Sequence, residues 1–207
     1  MEGRSIEIAK QIFGDNFIGR EELMSIDSTF LFDSGKLINL QLPKIHISEE
    51  ELKRCAQTHY LILVFPFLKD QKLLSIKFMR EIFGVDSVTF EPCFYNQDWY
   101  INEEFVSTNN LEYKWVLVRK NVIEENRGIL PFDFSSFYSA SLIVYAFFVV
   151  KLTKGYTLFE NDYVWTSDKD VNGDIVYVGK YKDPLGVAKN GFEIHRHLSL
   201  KMNYSTI

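Results

Sequence analysis

The chain has little with which to build a covalent or metal-tied scaffold. Of its 207 residues only Cys55 and Cys93 are cysteines, too few for a disulfide framework or a four-cysteine zinc site. Both are expected to be free, partly buried thiols in a reducing, cytoplasmic setting. Positive charge is also in short supply. Lys and Arg number 23 against 28 Asp and Glu, a net charge of -5, which removes the global electrostatic case for nucleic acid or an anionic membrane as partner, since both ask for a basic face. The first residues, MEGRSIEIAKQIFGDNF, mix charged groups among apolar ones and predict no conventional export signal. Long hydrophobic runs are scarce. The most apolar stretch, FSSFYSASLIVYAFFVVKL at 134–152, includes four serines and two tyrosines. Its uninterrupted apolar part, Leu142 to Val150, is far shorter than the roughly 20 residues a bilayer needs and predicts a buried helix. There is no GxSxG elbow, no phosphate-binding glycine loop and no HExxH, so the common hydrolase, nucleotide-binding and zinc-protease classes have no motif to rest on.

What the chain does have is apolar mass: 46% hydrophobic and 15% aromatic residues, enough to bury a core. Ile8, Ile12 and Phe13 recur at helical spacing, a short charged helix is expected near Arg20 to Ile26, and Asp33-Ser34-Gly35 reads as a turn. Ser48-Glu49-Glu50-Glu51 is a capping box opening a helix over about 49–57. HYLILVFPF, 59–67, reads as a buried strand ended by Pro66. Ser75 opens an amphipathic helix that stops at Gly84, WYINEEFV suggests a further short helix, and YKWVLVRK, 113–120, alternates as a half-buried strand. The apolar helix follows Pro131, with Asp133 or Ser135 as its expected cap and Gly155 beyond its end.

After Gly155 the period changes to two. Tyr163–Thr166, Ile175–Tyr181 and Phe192–Leu200 read as three consecutive strands. The fold class expected is α+β: a helical N-terminal half with a strand or two, then a C-terminal antiparallel sheet with a hairpin at 163–181. Residues 1–207 are expected to form one compact domain, with 1–128 as an α/β packing region, 129–207 as the sheet region, and 121–134 as the seam between them.

Two stretches invite metal chemistry. In YVWTSDKDVNGDIVYVG, 163–179, Asp168, Asp170, Asn172 and Asp174 have the spacing with which calcium loops begin. Counting from Asp168, however, position 12 is Gly179, where an EF-hand needs a bidentate glutamate. Both flanks are strand formers, and Asn172-Gly173 is a strong hairpin signal, so the hairpin is the favoured reading and no metal is expected. In His195-Arg196-His197 the two imidazoles would share one face of a strand, but no third ligand is visible. The terminal third is also rich in aromatics, and about half are expected to be core.

The combination of ILPFDFSSFYSASLIVYAFF with LFENDYVWTSDKDVNGDIVYVGKY resembles bacterial proteins with the C-type-lectin-like fold of formylglycine-generating-enzyme relatives. In particular it is similar to variable proteins diversified by retroelements. The residues that carry the likeness are Leu130-Pro131, Tyr145, Trp165-Thr166-Ser167-Asp168, Asn172-Gly173 and Val176-Tyr177-Val178-Gly179, within about 129–181. The resemblance implies a compact domain whose last strands and loops display a ligand-binding surface. Two features depart from the pattern: no cysteine follows Cys93, so the cysteine-oxidising activity of the enzymes of that fold is not carried over, and the tail KNGFEIHRHLSLKMNYSTI is shorter and more basic than a diversified one.

The leading expectation is therefore a non-enzymatic module without a cofactor. It would bind a protein, peptide or carbohydrate through Trp165, Tyr177, Tyr181, His195, Arg196, His197 and Tyr204. The alternatives are a metal-dependent hydrolase that uses His195 and His197 with a carboxylate such as Asp168 or Asp174, and a structural or phage-associated assembly protein. The sequence leaves the oligomeric state open.

Overall fold

The computed structural model describes residues 2–85, 91–129, 131–180, 191–196 and 204–205. It is mixed α and β, with two small sheets, and the chain divides into two compact units that alternate along the sequence: Met1–Leu73 with Leu111–Lys120, and Leu74–Asn110 with Asn121–Ile207.

The first unit runs through helix α1 (Glu2–Phe13), strand β1 (Phe17–Ile18), helices α2 (Arg20–Ser25), α3 (Asp27–Phe30), α4 (Ser34–Asn39) and α5 (Glu49–Cys55), and strands β2 (His59–Val64) and β3 (Lys114–Arg119). The sheet order is β1-β2-β3, with β1 parallel and β3 antiparallel to β2. Tyr60 to Val64 are all buried, as the continuous apolar run demands of a strand covered on both faces. The strand ends before Pro66, which lacks the N–H a further ladder bond would need. Ser48 caps α5 by accepting the Glu51 N–H at 3.2 Å. One local reading changes: Asp33-Ser34-Gly35 is the start of a helix, not a plain turn, because the Asp33 carboxylate accepts the Lys36 N–H at 3.0 Å and caps α4.

The second unit holds helices α6 (Ile76–Phe83), α7 (Glu104–Ser107) and α8 (Ala140–Lys154), then strands β4 (Asp162–Lys169), β5 (Ile175–Lys180), β6 (Glu193–His195) and β7 (Tyr204–Ser205). The sheet order is β6-β5-β4-β7, antiparallel except that β7 runs parallel to β4. Every residue of α8 from Ala140 to Val150 is buried. A helix apolar all round has no solvent face and occupies the middle of a core. Phe148 stacks on Phe83 and Phe94, and Phe147 lies tilted at 42° against Phe192, with centroids 4.2–4.9 Å apart. Among the described residues no helix is long and apolar enough to cross a membrane. Cys55 and Cys93 are both buried, and neither is in a disulfide.

Helix α8 begins later than the sequence suggests. Its cap is Ser139, which accepts the Leu142 N–H at 3.3 Å, while Asp133 is spent on a local turn, accepting the Ser135 N–H at 2.8 Å. A second acceptor arrives from β4. The β4–β5 register slips between Trp165 and Lys169, and Thr166 fills the irregularity by donating to the Val176 carbonyl at 2.8 Å and accepting the Asp168 N–H at 3.2 Å. The bulge turns Asp168 toward the helix, where its carboxylate accepts the Ala140 N–H at 2.6 Å.

Burial raises the Asp168 carboxyl above its ordinary value, partly offset by that N–H bond. A carboxyl whose folded value lies above its unfolded one holds its proton more tightly in the folded state, so its ionised form becomes a cost as pH rises through those values. Asp168→Ala removes the acceptor that meets the Ala140 N–H and is expected to lower stability by about 1 kcal/mol at neutral pH, whereas Asp168→Asn, which keeps the acceptor without the cost of the buried charge, loses nothing. Urea midpoints of the two variants check this.

Candidate functional site

The sheet of the second unit has two unlike faces. Val164, Thr166, Val176, Val178 and Ile194 alternate onto one, which packs on α8. The other carries two cross-strand rows set by register: Tyr163, Gly179 and Glu193, and beside it Trp165, Tyr177 and His195. In the first row the middle position has no side chain. A Cβ on Gly179 would stand 2.0 Å from the Asp162 carbonyl oxygen, so only glycine fits, and across the gap it leaves the Tyr163 hydroxyl donates to the Glu193 carboxylate. Glu193 is fully buried. Its Oε2 also receives His195 Nε2 at 2.8 Å, and among the described residues its Oε1 has no hydrogen-bond partner.

His195 is held on several sides. Its ring stacks on Tyr177 with centroids 5.6 Å apart and meets the edge of Tyr163 at 5.4 Å. Gln97 Oε1 accepts the Ile194 N–H at 3.4 Å, and its amide nitrogen lies 3.3 Å from His195 Nδ1 and 3.4 Å from Nε2, favouring neither. The proton position follows from Glu193 instead: a carboxylate accepts, so Nε2 carries the proton given to it.

Arg196, the next residue, leaves on the other side of the strand end. Its guanidinium donates to Asp170 at 2.9 Å, lies 3.7 Å from Glu103 and covers the Trp99 ring at 4.7 Å. Trp99 is fixed in turn by donating its indole N–H to the Ile194 carbonyl at 2.9 Å. The segment that supplies Gln97, Trp99 and Glu103 is brought here by Tyr95 and Phe192, whose backbones bond at 2.9 Å.

Asp170 organises the hairpin tip. Its backbone pairs with Asp174, Gly173 donates back to its carbonyl at 2.9 Å, and its carboxylate accepts the N–H groups of Asn172 and Asp174, both at 2.8 Å. The hairpin is present, but its turn is longer than the two-residue Asn-Gly type. Only Gly173 takes positive φ, at 86°, as in a three-residue loop that ends in a left-handed glycine. Burial would raise the Asp170 carboxyl, but the N–H groups of Asp174 and Asn172 and the Arg196 guanidinium outweigh it and hold the group below its ordinary value. Where a calcium loop would put its ion, this loop has an arginine of its own. Among the described residues no group of three or more His, Cys, Asp or Glu is placed to hold a metal.

The expected site residues are placed as follows. Trp165 and Tyr177, expected on a recognition surface, are buried, with 1% and 5% exposure. The reason is that the 131–139 segment lays Phe134 and Phe137 over them, Phe134 meeting Trp165 edge-on at 5.5 Å. His195 and Arg196 keep side-chain exposures of 28% and 25%. Tyr204 is placed by its backbone pairing with Tyr163. Tyr181, His197 and Leu130 lie outside the described residues, as does the second half of the Phe192–Leu200 strand. Glu193, Tyr163, Gln97, Trp99 and Glu103 were not anticipated. Glu193 and His195 sit two apart in a strand, and that spacing was the one signal in the sequence that could have joined them.

Beside Arg196 a cleft of about 410 Å³ is lined by Asn102, Glu103, Glu104, Lys169, Asp170 and Val171, and Val171 stands 83% exposed at its edge. No protein-family model matches the chain, and neither a curated protein nor a solved structure does. Chemically, the face offers a partly exposed imidazole and guanidinium on a rigid aromatic base. His195 Nε2 is already given to the Glu193 carboxylate at 2.8 Å.

Two outcomes follow. Tyr163→Phe removes a hydrogen bond to a buried carboxylate and is expected to cost about 1–3 kcal/mol in urea unfolding. Asp170, with its folded value below the unfolded one of about 3.9, stabilises fully above that pH, and the contribution disappears as pH falls through the folded value. Wild type should therefore lose more stability than Asp170→Asn on acidification, as read from urea midpoints on either side of that window.

Proposed function

We propose that the protein is a binding module rather than an enzyme, engaging a protein, peptide or carbohydrate ligand through the rim formed by His195, Arg196, Trp99 and the hairpin tip at Val171. The observation that carries this reading is that His195 and Arg196 are each held by a buried carboxylate, Glu193 and Asp170, while about a quarter of each side chain faces solvent. Side chains fixed before a ligand arrives lose little freedom on binding. The rim combines a stacked ring, a planar guanidinium and an exposed aliphatic group, which together suit a ligand with both polar and apolar parts.

The metal-hydrolase alternative is weakened by His195 Nε2, which is given to Glu193, and by Asp168, whose carboxylate is committed to the start of α8. The order of elements, a buried helix followed by a bulged hairpin with its polar turn, supports a C-type-lectin-like relationship for the second unit, and we include that relationship in the reading.

The test is a screen of the purified chain against arrayed glycans and peptides. A saturable ligand is expected whose affinity falls at least tenfold, on the order of 1.4 kcal/mol, in Arg196→Ala and in Trp99→Ala. Binding that both variants retain in full, or no saturable binding to either array, overturns the reading.

A further inference from the structure

The tip of the β4–β5 hairpin carries a chemistry of its own. Asn172 and Gly173 are both exposed, and the pair can react with itself: the Gly173 nitrogen can attack the Asn172 side-chain carbonyl, because a glycine has no Cβ to crowd the approach. In the folded chain both reacting groups are tied to Asp170. The Gly173 N–H donates to the Asp170 carbonyl at 2.9 Å, and Asn172 Nδ2 lies 3.4 Å from Asp170 Oδ2. The same carboxylate accepts the N–H groups of Asn172 and Asp174, both at 2.8 Å, and the Arg196 guanidinium at 2.9 Å. Asp170 is itself buried, so water competes little for these bonds.

We propose that Asn172-Gly173 is a deamidation site governed by Asp170: the closed hairpin tip suppresses the reaction, and each opening of the tip releases it. In the first step the Gly173 nitrogen gives its proton to solvent hydroxide and bonds to Asn172 Cγ, the Cγ–Nδ2 bond breaks, and ammonia leaves from a cyclic imide. Water then adds to either imide carbonyl. Which C–N bond breaks decides whether position 172 becomes an aspartate or an isoaspartate, whose main chain runs through the former side chain. The first step needs a Gly173 nitrogen released from its acceptor and a side-chain amide free to swing onto it, so the tip must open before it reacts. Where opening and closing are fast beside the chemistry, the rate follows the population of the open tip. The isoaspartate lengthens the backbone by a methylene between the N–H groups of 172 and 174, which a single oxygen, Asp170 Oδ1, now collects. The product therefore cannot keep both bonds as they stand, and through Asp170 the change reaches Arg196. Nothing in this chemistry depends on what the β6 rim binds.

The test is a timed incubation of the purified chain at mildly alkaline pH, folded and, in parallel, unfolded in guanidinium. Peptide mass mapping reads the conversion and separates Asn172-Gly173 from Asn190-Gly191, the chain's other Asn-Gly pair. Conversion at Asn172 is expected to be slower in the folded wild type by a factor on the order of ten or more. Asp170→Ala, which removes the acceptor of the Asn172 and Asp174 N–H groups, narrows that ratio severalfold. Asp170→Asn, which keeps an acceptor oxygen but loses the charge, narrows it less and serves if Asp170→Ala does not fold. The folded-to-unfolded ratio of the wild type needs no variant. Equal rates in folded and unfolded wild type, no conversion at Asn172 in guanidinium, or a ratio that neither variant changes overturns the proposal.

Discussion

The face of the C-terminal sheet depends on one buried carboxylate. Glu193 sits where an antiparallel sheet would ordinarily place an apolar side chain, and it is tolerated there because two donors meet it, the Tyr163 hydroxyl across Gly179 and the His195 ring from its own strand. Each member constrains the others. A side chain at Gly179 would collide with the Asp162 backbone, and a one-residue slip of β6 would move both Glu193 and His195 to the α8 face. The network therefore fixes register as much as it adds stability, a role buried polar groups are suited to because the wrong pairing leaves them unsatisfied.

From that anchor the rest of the site is assembled by short steps along the backbone. Ile194 gives its N–H to Gln97 and its carbonyl to Trp99, so the 96–103 segment is read against β6 residue by residue. Arg196 then closes onto Asp170, which is simultaneously the organiser of the hairpin turn. Asp168 and Asp170 act as internal ligands for N–H groups and, in the case of Asp170, for one guanidinium. The charge of these two, which looks available in the sequence, is already in use.

Much of the local structure was legible because it depends on local chemistry. Ser48 and Ser75 cap the helices expected to follow them, the apolar run at 59–64 forms a doubly covered strand, and the period-two pattern after Gly155 gives the hairpin. The start of α8 was not, because Ser139 competes with Asp133 and Ser135 as a cap and the choice is settled partly by Asp168, which arrives from the sheet. The exposure of Trp165 and Tyr177 was equally hidden. Whether an aromatic in a strand is core or surface depends on what covers it, and Phe134 and Phe137 come from a segment with no regular periodicity. Gln97 and Trp99 lie more than ninety positions from His195 and Ile194 in sequence, and no spacing rule links residues so far apart.

The central claim is that the Glu193 carboxylate holds His195 with its proton on Nε2. Long-range nitrogen–proton NMR of the imidazole, recorded where the ring is uncharged, reports it directly. The account predicts a single tautomer with the proton on Nε2, held by the Glu193 carboxylate, reverting to a mixture in Glu193→Gln, whose amide can donate as well as accept. A ring protonated on Nδ1, or one that averages between tautomers in the wild type, would contradict it.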